Sequence, residues 1–140
     1  MNWLGWSLLS ALFAGATAVL AKAGVEGVNS NLATAIRTTV VLLFAWLAAL
    51  PALRASALAS LTSRTWIFLV ASGIATGLSW LCYFRALQLG QASRVAPVDK
   101  LSVVIAILLA MIFLGERLTL RGGIAIALMV SGVLVLAFER

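Results

Sequence analysis

Charged side chains stand inside or at the ends of long apolar segments of this sequence. A charge at the centre of a bilayer costs about 2.5–3.5 kcal/mol on insertion scales, so a charge retained there is a candidate for binding a polar solute. If successive segments cross the membrane in alternating directions, these groups fall toward one membrane face as a charged layer. The members of this charged layer are Lys22, Glu26, Arg37, Arg85, Asp99 and Lys100.

Three members of the charged layer are the best candidates for binding a substrate: Arg37, Asp99 and Lys100. Asp99 and Lys100 are neighbours, so on a helix they point about 100° apart, and we predict that they do not pair with each other. Arg37 is then the natural partner of Asp99, which leaves Lys100 for an anionic ligand. Two alternatives stay open. One is an internal ion-pair network that fixes helix packing, and the other is a proton-coupling role for Asp99, which the adjacent cation opposes.

Aromatic and hydroxyl side chains share one face of the third apolar segment at helical spacing. Thr76, Ser79, Trp80 and Tyr83 would line a small-molecule cavity there, with ring walls and hydroxyl donors. We therefore predict Trp80 and Tyr83 as substrate-binding residues. An ordinary helix contact or an aromatic belt at the membrane interface would show the same pattern. Arg85 points away from this face and is expected to extend toward the interface.

The composition excludes several kinds of chemistry. Of the 140 residues 64% are apolar and 10% are charged, against about 25% charged in an average soluble domain. The chain has no histidine and a single cysteine, Cys82, which excludes a disulfide framework and a cysteine metal cluster. The ten basic residues are scattered singly, unlike a nucleic-acid-binding patch. We therefore expect a membrane protein that is not an enzyme and that holds no metal or cofactor.

Five apolar segments are long enough to cross a bilayer, since about 20 helical residues span its hydrocarbon core. The sequence predicts an all-α polytopic membrane protein with about five transmembrane helices, forming a single domain over residues 1–140. We expect the second segment to stop at Pro51 and the third at Gly90, a helix C-cap position. The segments are residues 3–21, 32–50, 66–89, 94–114 and 122–138.

The fourth segment places charge inside the membrane. Its uncharged run, 101–114, has 14 residues and reaches about 21 Å as a helix, which is too short for about 30 Å of hydrocarbon. The helix must therefore begin earlier, and we expect Ser93 as its N-cap. Asp99 and Lys100 then lie within the membrane, and Pro97 falls early enough to bend the helix without breaking it.

The basic residues near the membrane surfaces are almost evenly divided between the two sides. With five crossings one side carries three of them and the other carries four, a margin that barely selects an orientation under the positive-inside rule. Insertion in both orientations and a fixed orientation with a cytoplasmic N-terminus both stay open. The first side has Lys22, Arg94 and Arg140, and the second has Arg54, Arg64, Arg117 and Arg121.

Small residues repeat every four positions on two segments, as they do at helix contacts in membranes. Gly73 and Gly77 form a GxxxG pattern in the third segment, which is common in membrane proteins of any function. Gly123, Ala127 and Ser131 form a row in the fifth segment. We predict this fifth-segment row as the contact between subunits.

The sequence resembles the EamA domain, the repeat unit of the drug/metabolite transporter superfamily. Its most specific parts are the Tyr-x-x-Ala-Leu end of the third segment at 83–87 and the Leu-Gly-Glu-x-Leu-Thr turn at 114–119. Gly73, Trp80 and the Ala-Pro-Val at 96–98 belong to the pattern as well. The resemblance covers essentially the whole chain. Members usually carry two repeats, ten helices in total, and export small metabolites, whereas this chain carries one repeat.

The resemblance implies a secondary transporter that exports small polar or amphipathic metabolites across the cell inner membrane. Two-repeat transporters hold their site between halves of opposite topology. One five-helix chain can restore this arrangement by pairing with an oppositely inserted copy, so we expect an antiparallel homodimer, similar in logic to the small multidrug resistance proteins. Its partners would be a small-molecule substrate and membrane lipid, with no nucleic acid.

Three other functions stay open. Efflux of cationic drugs is disfavoured by the position of Glu26, which lies in or beside a loop rather than deep in a segment. A lipid-carrier flippase would use the cations to bind headgroup phosphate. The third alternative is a non-transporting membrane subunit. It would be favoured if the charged side chains all paired with one another within one chain.

Overall fold

The computed structural model describes residues 2–53 and 60–138. Within these residues the regular structure is helical throughout, with one 3₁₀ turn, Leu50–Ala52, that contains Pro51. Two arginines of the charge count, Arg54 and Arg140, lie outside the described residues. The α-helices are α1 (Trp3–Val25), α2 (Ser30–Ala49), α3 (Ser63–Leu89), α4 (Ala92–Asp99), α5 (Ser102–Phe113) and α6 (Leu120–Phe138).

Five helical segments of the described chain are long and apolar enough to cross a membrane. The second, Ser30–Ala52, adds the 3₁₀ turn to α2, and the fourth, Ala92–Phe113, combines α4 and α5. The predicted all-α fold with five spans is confirmed. Its physical reason is that backbone N–H and C=O groups find no partner in hydrocarbon, so each span must pair them within its own helix.

Local hydrogen bonding decides where the helices begin. Asn29 caps α2, because its Oδ1 accepts hydrogen bonds from the N–H groups of Asn31 at 2.9 Å and Leu32 at 3.4 Å. The prediction that Ser93 is the N-cap of the fourth span is wrong. Gln91 is the N-cap residue, with an extended backbone (φ −77°, ψ 140°), and Ser93 already lies inside α4.

Glycines with a left-handed backbone end two of the helices. Gly27 follows α1 with φ 73°, and Gly115 follows α5 with φ 68°. A side chain at such a position would bring Cβ close to the following carbonyl oxygen, which is why glycine is favoured there. The predicted stop of the third segment at Gly90 is confirmed, because α3 ends at Leu89. Gly90 is not among the positive-φ glycines of the described chain, and the extended Gln91 makes the turn into α4.

The fourth span is interrupted between α4 and α5. At the interruption the backbone bonds connect residues three apart, with the N–H of Lys100 donating to Pro97 C=O and the N–H of Val103 donating to Lys100 C=O, each at 3.0 Å. Pro97 lies inside α4, where it lacks a donor and its ring crowds the preceding turn. The predicted unbroken helix over 94–114 is therefore wrong, because a tighter 3₁₀-like turn separates two shorter helices.

Two compact units make up the chain: the terminal unit, Met1–Lys22 with Leu89–Arg140, and the central unit, Ala23–Gln88. In the terminal unit α4 packs against α6. At most 11% of the residues in the apolar stretch of any span are buried within the chain, and many large apolar side chains are exposed, so they are left for lipid or other protein. The expected single domain over residues 1–140 stays a prediction.

We predict that Gly115→Ala lowers the free energy of unfolding by about 1–2 kcal/mol, because alanine must adopt the left-handed backbone at this position. Gly15→Ala is the matched control, since a methyl group there meets nothing within 4 Å and the helical backbone favours alanine by about 0.5–1 kcal/mol. Thermal unfolding in detergent, followed by circular dichroism, measures both. Equal melting temperatures for the two variants would contradict the assignment of Gly115 as a helix stop.

Candidate functional site

Arg37 is held against aromatic rings inside the central unit. It lies seven residues after Ser30, about 10 Å along α2, and its side chain is half-buried. The guanidinium carbon stands over the ring of Trp80 at 4.2 Å from the ring centroid, and 5.6 Å from that of Phe84. Both distances are within the range of cation–π attraction. The structure therefore brings together two of the predicted substrate-binding residues, Arg37 and Trp80.

Trp80, Phe84 and Leu87 follow each other along one face of α3 at four- and three-residue spacing. Phe84 and Leu87 are buried. Tyr83 packs edge-on against Phe84, with ring centroids 6.5 Å apart and an interplanar angle of 70°. Phe84 thus joins Tyr83 to the ring cluster around Arg37. Sequence analysis missed Phe84, although its place one helical turn after Trp80 was a usable signal.

The hydroxyl groups nearest to Arg37 on α2 are bonded to their own helix. Thr34 is buried and its Oγ1 donates to the carbonyl of Ser30 at 2.8 Å, while Thr38 Oγ1 donates to the carbonyl of Thr34 at 2.7 Å. Hydroxyls in helices often satisfy themselves in this way. On α3, Thr76 Oγ1 likewise donates to Ser72 C=O at 2.9 Å. The hydroxyl donors of these threonines are therefore satisfied within their own helices.

Gln88 ties the first loop to the end of α3. Its Nε2 donates to the carbonyl of Val28, and its Oε1 accepts a hydrogen bond from Arg85 Nη1 at 3.0 Å. Arg85 is exposed, and Val25, just before the loop, is only 1% exposed. Sequence analysis missed Gln88, whose only signal was a polar side chain one turn after the buried Phe84. The hydrogen bond from Gln88 to Val28 holds the first loop against the end of α3.

In the terminal unit Asp99 and Lys100 pair with each other. Lys100 Nζ lies 3.5 Å from Asp99 Oδ2, and the two side chains are 35% (Asp99) and 55% (Lys100) exposed. The prediction that these neighbours cannot pair is wrong. It assumed an unbroken helix, whereas α4 ends at Asp99 and Lys100 lies in the turn that follows.

The remaining predicted residues lie in one unit or the other. Glu26 is exposed in the central unit, and Lys22 is half-buried in the terminal unit. The predicted Arg37–Asp99 pair and the predicted charged layer both join residues of different units, and they stay predictions. The described residues contain no group of three or more histidine, cysteine, aspartate or glutamate side chains that could hold a metal ion.

The predicted subunit contact lies on α6. Gly123 is half-buried, whereas Ala127 and Ser131 are exposed, and Ser131 Oγ donates to the carbonyl of Ala127 at 2.8 Å. On α3 a methyl group built at Gly73 or Gly77 would meet nothing within 4 Å. Both rows of small residues are thus open to a neighbouring molecule, and the subunit contact on α6 stays a prediction.

Five apolar helical segments long enough to cross a bilayer define a multi-pass membrane protein. The chain belongs to the EamA-like transporter family, whose pattern it matches over residues 1–138, so the resemblance inferred from sequence is confirmed.

Two relatives are named as transporters. The chain is 49% identical over 138 residues, 97% of this chain and 96% of the relative, to the "Uncharacterized transporter in cobO 3'region" of Sinorhizobium sp. It is 26% identical over 136 residues to the "Uncharacterized transporter YxxF" of Bacillus subtilis (strain 168), covering 96% of this chain and 42% of that protein. No solved structure matches the chain.

We predict that Gln88→Met loosens the first loop and lowers the free energy of unfolding by about 1 kcal/mol, because methionine keeps the shape but cannot donate to Val28. Hydrogen exchange of the peptide covering residues 24–31, read by mass spectrometry, should speed up in this variant. Gln91→Met is the matched control, since the Gln91 side chain makes no capping hydrogen bond. Unchanged exchange in Gln88→Met, or equal acceleration in both variants, would contradict the role of Gln88.

Proposed function

We propose that this protein is a secondary transporter that exports small polar or amphipathic metabolites across the cell inner membrane as an antiparallel homodimer. The observation that carries the proposal is membership of a transporter family along essentially the whole chain. Both relatives are named as transporters. The family resemblance supports export. The helical spans support an inner-membrane location, since outer-membrane proteins of bacteria are typically β-barrels.

The relatives also support a pair of copies. The segment of YxxF that matches this chain is 42% of that protein, which leaves room for a second repeat, whereas the Sinorhizobium relative is matched over 96% of its length. Because each copy has five spans, an odd number, two copies joined in tandem would have opposite orientations in the membrane. Two separate copies reach the same arrangement by inserting in opposite directions. The near-balanced basic residues are compatible with such insertion.

In this proposal the solute is held by charge and by aromatic walls. Trp80 and Tyr83 wall the cavity, and Arg37, Asp99 and Lys100 supply charge. Within the central unit, the Arg37–Trp80 contact at 4.2 Å supports a common role for these two residues. Gly123, Ala127 and Ser131 are proposed to meet the second copy, which fits the exposure of Ala127 and Ser131 on α6.

Dual orientation is tested by labelling single cysteines in a Cys82→Ser background. Leu61→Cys probes the second loop and Gln91→Cys probes the third, because these loops lie on opposite sides of the membrane in any one orientation. We expect a membrane-impermeant maleimide to label each position from both sides, in intact cells and in inverted vesicles. Labelling of each position from one side only would refute the antiparallel homodimer.

A charge substitution tests the role of Lys100. We expect Lys100→Ala to lower counterflow of a radiolabelled metabolite extract in proteoliposomes at least about tenfold, because loss of a hydrogen bond between charged groups is worth roughly 1.5–3 kcal/mol. Membrane abundance and melting temperature should stay unchanged, since the ion pair with Asp99 is largely exposed. Lys100→Arg is the control that keeps the charge. Failure of Lys100→Ala to insert would instead assign the ion pair a structural role.

A further inference from the structure

We infer that the guanidinium of Arg37 binds a carboxylate group of the transported solute, so that the substrates are small organic anions. The inference rests on the proposed function, because it takes the protein to be a carrier, and it deepens that function by naming the chemical class of the substrate. The site consists of Arg37, Trp80, Phe84 and the open face of α3 at Gly77.

Arg37 is a cation without an anionic partner among the described residues of the central unit. Its guanidinium makes no ion pair and no hydrogen bond there, and its contacts are the faces of Trp80 and Phe84. An aromatic face attracts a cation but offers no oxygen to accept its N–H groups. A half-buried guanidinium within a membrane span therefore keeps unsatisfied donors, which an anionic ligand can satisfy.

The shape of the guanidinium favours a carboxylate. It is planar and carries five donors in a fixed fork that matches two carboxylate oxygens at once. With Trp80 under the guanidinium carbon, the donors at its rim remain available to a ligand. The neighbouring threonines do not compete, because Thr34 and Thr38 donate to carbonyls of their own helix.

The depth of Arg37 separates a solute carboxylate from a lipid phosphate. Arg37 lies about 10 Å along α2 from its first residue, whereas lipid phosphates stay in the headgroup layer outside the hydrocarbon core. Beside Trp80 there is also room for the body of a solute. Gly77 lies three residues before Trp80, on the same side of α3, and a methyl group at Gly77 or Gly73 would meet nothing within 4 Å.

The test measures binding by the fluorescence of Trp80. The full chain, with its other tryptophans replaced by phenylalanine, is placed in phosphatidylcholine nanodiscs and titrated with hexanoate and with hexanamide, its uncharged isostere. The replaced tryptophans are Trp3, Trp6, Trp46 and Trp66. We expect a saturable change with hexanoate at an affinity at least about tenfold above that for hexanamide, which corresponds to at least about 1.4 kcal/mol.

Variants locate the binding at Arg37. Arg37→Lys keeps the charge but loses the fork, and we expect it to weaken hexanoate binding at least about tenfold. Arg64→Lys is the matched control, since Arg64 also stands over a ring, 5.7 Å from that of Phe68, but is exposed at the start of α3, and its affinity should be unchanged. Gly77→Val fills the open face, so it should weaken hexanoate binding and leave acetate binding unchanged.

Three outcomes would overturn the inference. The first is an equal response to hexanoate and hexanamide, and the second is unchanged hexanoate affinity in a folded Arg37→Lys or Gly77→Val chain. The third is a Trp80 response to inorganic phosphate, or to phosphatidylglycerol in the nanodisc, where hexanoate gives none, which would assign Arg37 to phosphate. Hexanoate binding requires neither transport nor insertion in two orientations. If cysteines are labelled from one side only while hexanoate still binds, the antiparallel homodimer is refuted and the carboxylate site is not. Counterflow that stays unchanged in Arg37→Lys would refute the inference alone.

Discussion

Hydrocarbon cannot solvate a polar group, and this constraint shapes every part of the protein. It forces the backbone into helices, because each N–H and C=O must find its partner within its own span. It also accounts for the side-chain bonds, since Thr34 and Ser131 donate to carbonyls one turn earlier in their own helices. Gln88 likewise donates to the free carbonyl of Val28 in the first loop. Polar groups that lack a hydrogen-bond partner within the chain are the ones available to bind a ligand.

The two units handle embedded charge differently. In the terminal unit Asp99 and Lys100 pair with each other at a break in the fourth span, where Asp99 is half-buried and Lys100 is exposed. Among the described residues of the central unit, Arg37 is offset by the faces of Trp80 and Phe84 and by no anionic group. A quadrupole attracts a cation more weakly than a full negative charge does, so Arg37 is the less completely compensated of these groups. That inequality makes the central unit the better candidate for recognising an anion.

The low burial of the spans fits a protein that associates with another protein molecule in the membrane. At most 11% of the residues in any apolar stretch are buried within the chain, and a methyl group at Gly77 would meet nothing within 4 Å, while Ala127 is exposed. In lipid, association gains from close packing of such faces rather than from burying apolar area. The relative YxxF is more than twice as long as the segment that matches this chain, which is compatible with a repeat that packs against another repeat.

The number of spans, their approximate bounds and the family are properties that the amino-acid sequence determined by itself. Apolar runs of about 20 residues have one stable form in a bilayer, and the family pattern matches residues 1–138. The partners of the charges were decided only by the tertiary structure. In uniformly apolar spans, periodicity does not reveal how each helix is rotated, so Trp80 could not be assigned to Arg37 beforehand. The ion pair of Asp99 likewise depends on a local break in the fourth span, which hydropathy does not register because it averages composition over the whole span.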